Sequence, residues 1–167
     1  MRIFGAAALA LAVAGCVTVR DGPVAIEADA ISYETGPCFG ACPVYKVTVR
    51  SDGTGVFEGR RFTSLLGTRS FRLTAAQYRA FANVLAPLRP ARGSVRYSGD
   101  KCRMMATDLP SAEVTWTGRG ATRQLYFYFG CDMEKNRAIA ERIRKAPERL
   151  PIARFIRDPA SPPPTGR

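Results

Sequence analysis

Val44-Tyr45-Lys46-Val47-Thr48-Val49-Arg50-Ser51-Asp52-Gly53-Thr54-Gly55-Val56-Phe57-Glu58-Gly59 decides the fold. Tyr45, Val47 and Val49 alternate with Lys46, Thr48 and Arg50, the period of a strand with one buried face. Asp52-Gly53 is a hairpin signal, because glycine accepts the positive φ that such turns require. Thr54 to Gly59 then returns as the partner strand. Upstream, Ala28 to Tyr33 predicts a first strand; downstream, Thr68 to Leu73 predicts a short fourth. No crossover separates these segments, so they pair antiparallel.

Thr74-Ala75-Ala76-Gln77 has the spacing of a capping box and starts a helix. Tyr78, Phe81, Ala82, Leu85 and Leu88 form its apolar stripe, which reads as core, and Pro87 and Pro90 end it. Ala91 to Pro110 reads as loop. Glu113 to Thr117 and Arg123 to Phe129 form a second hairpin across Gly118-Arg119-Gly120. Val114 and Trp116 share one face with Leu125, Phe127 and Phe129, which leaves Tyr126 and Tyr128 on the other face as a candidate binding surface. Asp132 is the expected cap of a second helix reaching about Lys145, with Ile139 and Ile143 on its buried side and Pro147 after it. The expected fold is α+β: an antiparallel sheet of about five or six strands, order β-β-β-(β)-α-β-β-α, with two helices packed on one face.

The chain starts Met1-Arg2, continues apolar from Ile3, and reaches Val13-Ala14-Gly15-Cys16. A basic start, a short apolar run and small residues make a secretory signal, and the run is too short to span a bilayer. The cysteine directly after the small residues makes the segment resemble a bacterial lipoprotein signal. That resemblance implies cleavage after residue 15 and acylation of Cys16 (palmitate included). Several acyl chains anchor stably, at about 0.8 kcal/mol per buried methylene. Val17 in place of Asp resembles the pattern sorted to the outer membrane of diderm bacteria, facing the periplasm. The expected organisation is a signal at 1–15, a tether at 16–26, one domain at 27–157 and a disordered Pro-rich tail at 158–167.

The mature chain would keep 152 of 167 residues, enough for a real core. Its formal charge of +11 falls by one with the loss of Arg2. Such a balance suits an anionic membrane surface or an acidic envelope protein, and export removes nucleic acid from the partners. The 167 residues contain no histidine. That excludes Ser-His-Asp and Cys-His nucleophiles and His-ligated metal sites. No carboxylates cluster at a telling spacing either, and no cofactor is expected.

Setting Cys16 aside leaves Cys38, Cys42, Cys102 and Cys131. An even number in an oxidising compartment reads as two disulfides, and four cysteines allow three pairings. Cys38 and Cys42 flank a turn marked by Gly36, Pro37, Gly40 and Pro43. Cys102 and Cys131 lie at the same end of the second hairpin, so Cys38–Cys42 with Cys102–Cys131 is the favoured pairing. Chain entropy gives about 3.6 kcal/mol for the long closure and about 2 kcal/mol for the short one.

Cys38-x-x-x-Cys42-Pro43 also resembles the copper motif of Sco-type chaperones, with Met104, Met105 or Met133 available as a further soft ligand. Those chaperones use a distal histidine on a thioredoxin-like fold; this chain lacks both the histidine and the βαβ order. The stretch Gly36-Pro-Cys-Phe-Gly-Ala-Cys-Pro-Val-Tyr45, with Asp52-Gly53, Glu58-Gly59 and Thr107-Asp108 before Val114-Thr-Trp116, resembles a bacterial lipoprotein domain family of unknown function. Its signature is G-P-C-F-G-x-C-P-x-Y, and the likeness runs from about Ile31 to Ile156. The resemblance implies export, anchoring and a shared fold, and transfers no catalytic residue. The sequence therefore reads as a lipid-anchored, non-catalytic binding or interaction module stabilised by two disulfides. The alternative is a thiol-redox or Cu(I)-handling protein using Cys38 and Cys42.

Overall fold

Seven strands form one sheet in the order β4-β3-β2-β1-β6-β7-β5. The computed structural model describes residues 30–118 and 120–157. The expected signal and tether, with Cys16, and the expected Pro-rich tail lie outside the described residues. The strands are β1 (Ala30–Thr35), β2 (Val44–Arg50), β3 (Thr54–Arg61), β4 (Gly67–Arg72), β5 (Ser94–Tyr97), β6 (Ser111–Gly118) and β7 (Ala121–Tyr128). The helices are α1 (Ala75–Leu85), α2 (Arg137–Lys145) and α3 (Ala153–Ile156).

The fold is α+β, and both hairpins form where glycine allows them. Gly53 turns β2 into β3 at φ 82°, and its N–H donates to the Arg50 carbonyl. The Asp52 carboxylate accepts from the N–H and the hydroxyl of Thr54, which fixes the return strand. The capping box is present: Thr74 Oγ1 accepts from Gln77 N–H, and Gln77 Oε1 accepts from Thr74 N–H.

The inner face of the sheet buries Tyr45, Val47, Val49, Phe57, Val114, Trp116, Leu125 and Phe127 against Phe81, Leu85 and Ile143 of the helices. The outer face is polar. Ser32 and Thr48 share a hydroxyl hydrogen bond of 2.8 Å, Gln124 donates to Glu113 at 2.8 Å, and Arg60 pairs with Glu34 and Glu58. Alternation predicted this division, since successive strand side chains point to opposite faces.

Three expectations need correction. The 91–110 segment is not all loop: Ser94–Tyr97 adds a seventh strand, parallel to β7, because the chain returns from α1 and enters the edge from the same direction. Asp132 does not cap α2. That helix starts at Arg137 after Asn136, whose side chain instead donates to the Cys131 carbonyl at 2.9 Å. The Asp132 carboxylate turns away and accepts from the N–H groups of Arg103 and Met104 at 3.1 and 2.8 Å. A third helix, α3, follows Pro147, and its Phe155 packs on Phe57 with ring centroids 5.5 Å apart.

Candidate functional site

Both cysteine pairs sit at one end of the sheet. Cys38–Cys42 closes the β1–β2 loop with its Cα atoms 5.8 Å apart. Cys102–Cys131 joins the segment after β5 to the residue just beyond β7, with Cα atoms 5.2 Å apart. This is the pairing favoured by the sequence. The two loops are stitched together, because Phe39 N–H donates to the Asp108 carbonyl and Gly36 N–H to the Ser111 carbonyl. The bridges differ in exposure: Cys131 is fully buried, whereas Cys38 and Cys42 are half-exposed.

The same end gathers other unusual features. Phe62, Asp108 and Asp132 are the non-glycine residues with positive φ among those described, at 54°, 67° and 41°. All three lie in loops at this end, and a bulky residue in that region costs about 1–3 kcal/mol. Phe39, Leu66, Met104, Met105 and Met133 are large apolar side chains left exposed here, Phe39 at 88%.

A cleft of about 530 Å³ opens at this end between the sheet and the C-terminal helices. Tyr33 and Tyr45 line it beside Phe129, and Pro43, Pro110 and Pro147 complete the apolar walls. Arg144, Glu148 and Arg157 stand at its exposed rim. Arg144 lies over the Phe129 ring, its guanidinium carbon 4.5 Å from the centroid, so the cation is held in place by the wall it stacks on. No ion pair engages Arg144 or Arg157 among the described residues. Burial raises the Tyr33 phenol well above its usual range, only partly offset by the positive Arg144; burial does the same to Tyr45. Both phenols therefore stay protonated. Neither hydroxyl has a hydrogen-bond partner among the described residues, yet no buried side-chain oxygen or nitrogen there lacks one. The two hydroxyls consequently open on the cleft instead of being sealed in the core.

Part of this end belongs to a recognised family. A family model described as a domain of unknown function, DUF6438, matches residues 29–147. The chain belongs to this family. No curated protein and no solved structure matches it. The DUF6438 match takes in all seven strands, α1, α2 and both disulfides, and it stops before Glu148, Ala153, Ile156 and Arg157. One wall of the cleft thus lies outside the matched DUF6438 segment.

The candidate surface at Tyr126 and Tyr128 is a separate, shallower groove of about 620 Å³ on the polar face, shared with Arg96, Asp100, Lys101 and Met105. The structure brings the two tyrosines together there. Arg96 covers Tyr126, 3.8 Å from its centroid. Tyr128 is spent on the loop: its hydroxyl donates to the Ala106 carbonyl at 2.9 Å and accepts from Leu109 N–H. Met105 pairs with Cys131 through a backbone bridge, and Met104 accepts Asp132 N–H, so both are tied locally to the long bridge. Sequence reasoning missed Tyr33, Tyr45, Phe129, Arg144 and Arg157. Alternation put Tyr45 and Phe129 on buried faces, Tyr33 was read only as the end of the first strand, and nothing in spacing placed two arginines of different helical segments beside them.

Proposed function

We propose that the chain is a non-catalytic binding module of a bacterial envelope, anchored through lipid on Cys16 and stabilised by its two disulfides.

 The observation that carries this reading is the convergence at one sheet end. Both bridges, the strained loop residues, the exposed apolar side chains and the cleft all occupy the end where β1 finishes. Ala30, where the described chain starts, lies at the opposite end of β1. A tether to the membrane would enter there and leave the cysteine end facing the periplasm. Disulfides suit that compartment, and the net charge, +11 for the full chain less one for Arg2 after processing, suits acidic partners within it.

The test is a photo-crosslinking residue placed in living cells at Phe39 or, as the control, at Thr54 in the opposite hairpin. The reading expects a discrete adduct from position 39 and none from 54. Adducts from both positions, or from neither, would count against a binding end. A second reading is favoured by the half-exposure of Cys38 and Cys42. Reduction of that bond by an external dithiol, itself oxidised to a disulfide, would free two thiols whose thiolates could take part in disulfide exchange or bind Cu(I). Tight Cu(I) binding by the reduced protein, lost in Cys38→Ala and Cys42→Ala but kept in Cys102→Ala, would promote this alternative.

A further inference from the structure

We infer that the cleft between the sheet end and the C-terminal helices binds a small monocarboxylate with an apolar body. This names the ligand class of the end already proposed to bind, and it rests on that reading. A ligand-sized cleft with aromatic and proline walls and a few convergent polar groups is the usual form of a small-molecule site. The rings of Tyr33, Tyr45 and Phe129 offer a surface on which an apolar body loses its water. The polar groups fix the head. Arg144 and Arg157 carry planar guanidinium forks that match a carboxylate, and neither is engaged in an ion pair among the described residues. The Tyr33 and Tyr45 hydroxyls can donate to the same oxygens. Glu148 also lines the cleft, so two cations face one anion and a single negative charge completes the balance. A phosphate dianion would exceed that balance and meet the Glu148 carboxylate. A neutral body would leave the hydrogen-bonding edges of both arginines to solvent and draw nothing from their charge.

The stacked position of Arg144 strengthens the assignment. A guanidinium lying on the Phe129 ring has lost part of its freedom before any ligand arrives, so less is lost when the head group binds.

The experiment is a calorimetric titration of the disulfide-intact protein with 2-naphthoate, 2-naphthamide and 2-naphthyl phosphate, which share one apolar body. The acid is expected to bind at least about tenfold more tightly than the amide and more tightly than the phosphate, one tenfold step being 1.4 kcal/mol. That gap should close in Arg144→Gln and in Arg157→Gln, each checked for an unchanged thermal midpoint. Arg144→Lys retains the charge without the fork and should recover part of the gap. Equal binding of acid and amide, a gap that survives both glutamine variants, or tightest binding of the phosphate would overturn the inference. Failure here with a persistent Phe39 adduct would remove the ligand class and leave the binding end standing. Failure of both would remove the reading beneath it.

Discussion

Asp132 holds a positive φ of 41° and turns its carboxylate back onto the loop that carries Cys102. The N–H groups of Met104 and then Arg103 hold its pKa below the ordinary aspartate value. A depressed carboxyl contributes stability above the unfolded value of about 3.9, and that contribution is lost as pH falls through the lower, folded value. The Met104 amide resonance should therefore titrate with a midpoint below about 3.9 in the wild type and stay flat in Asp132→Asn; a flat wild-type curve would mean that the carboxylate does not hold the loop. Gly59 gives a second test at this scale. A Cβ there would sit 1.8 Å from the Leu65 carbonyl oxygen, a backbone atom with little room to yield. Gly59→Ala should cost more than about 2 kcal/mol in denaturant unfolding, as overpacking does. Such contacts are not readable from sequence. Tyr45 was readable as one face of a strand from its alternation with Val47 and Val49, but periodicity records burial and not what a buried ring's hydroxyl opens on.

At the scale of elements, the β2–β3 and β6–β7 hairpins and α1 were legible because turn glycines, period-two alternation and a capping box agree locally. β5 was not, since Ser94-Val95-Arg96-Tyr97 is four residues long, mostly exposed, and so lacks a buried alternation to betray it. α3 is also four residues long, too short for a helical stripe, and is held by backbone bonds from Ser64 and Leu65 to the carbonyls of Ile156 and Phe155. The cysteine pairing was legible because the second hairpin brings both ends of the long bridge together. Its two bonds should differ in weight. Cys102–Cys131 spans a sequence separation of 29 and ends in a fully buried sulfur; Cys38–Cys42 spans only 4 and is half-exposed. The double alanine variant of the long bridge should lose about 1–2 kcal/mol more unfolding free energy than that of the short one, read as the larger drop in thermal midpoint. The reverse order would show that the short bridge governs the sheet end.

For the whole molecule, the domain extends beyond the family match. Leu150, Ile152 and Phe155 are core residues after position 147. Phe155→Ala should cost about 3–5 kcal/mol, read from the denaturant midpoint, whereas a loss below about 1 kcal/mol would make the C-terminal segment an accessory. Anchoring has its own check: Cys16→Ser should leave the protein unprocessed or released from membranes, and an equally processed, membrane-bound variant would remove the lipid from the account. The strand order carries a further consequence, for the time course of folding. β1 pairs with β2 on one side and with β6 on the other, where Ala30 aligns with Thr117. The first four strands can form a meander by themselves, but β1 then presents a bare edge until the distant β6 arrives. Closing so long a loop is slow, and the waiting edge is a template for wrong partners. Trp116, opposite Ile31 on that seam, should report the late joining of the two halves as a fluorescence phase slower than the gain of far-ultraviolet signal. If the chain is exported N-terminus first, as proposed, the seam is where a chaperone would have the longest opportunity to act.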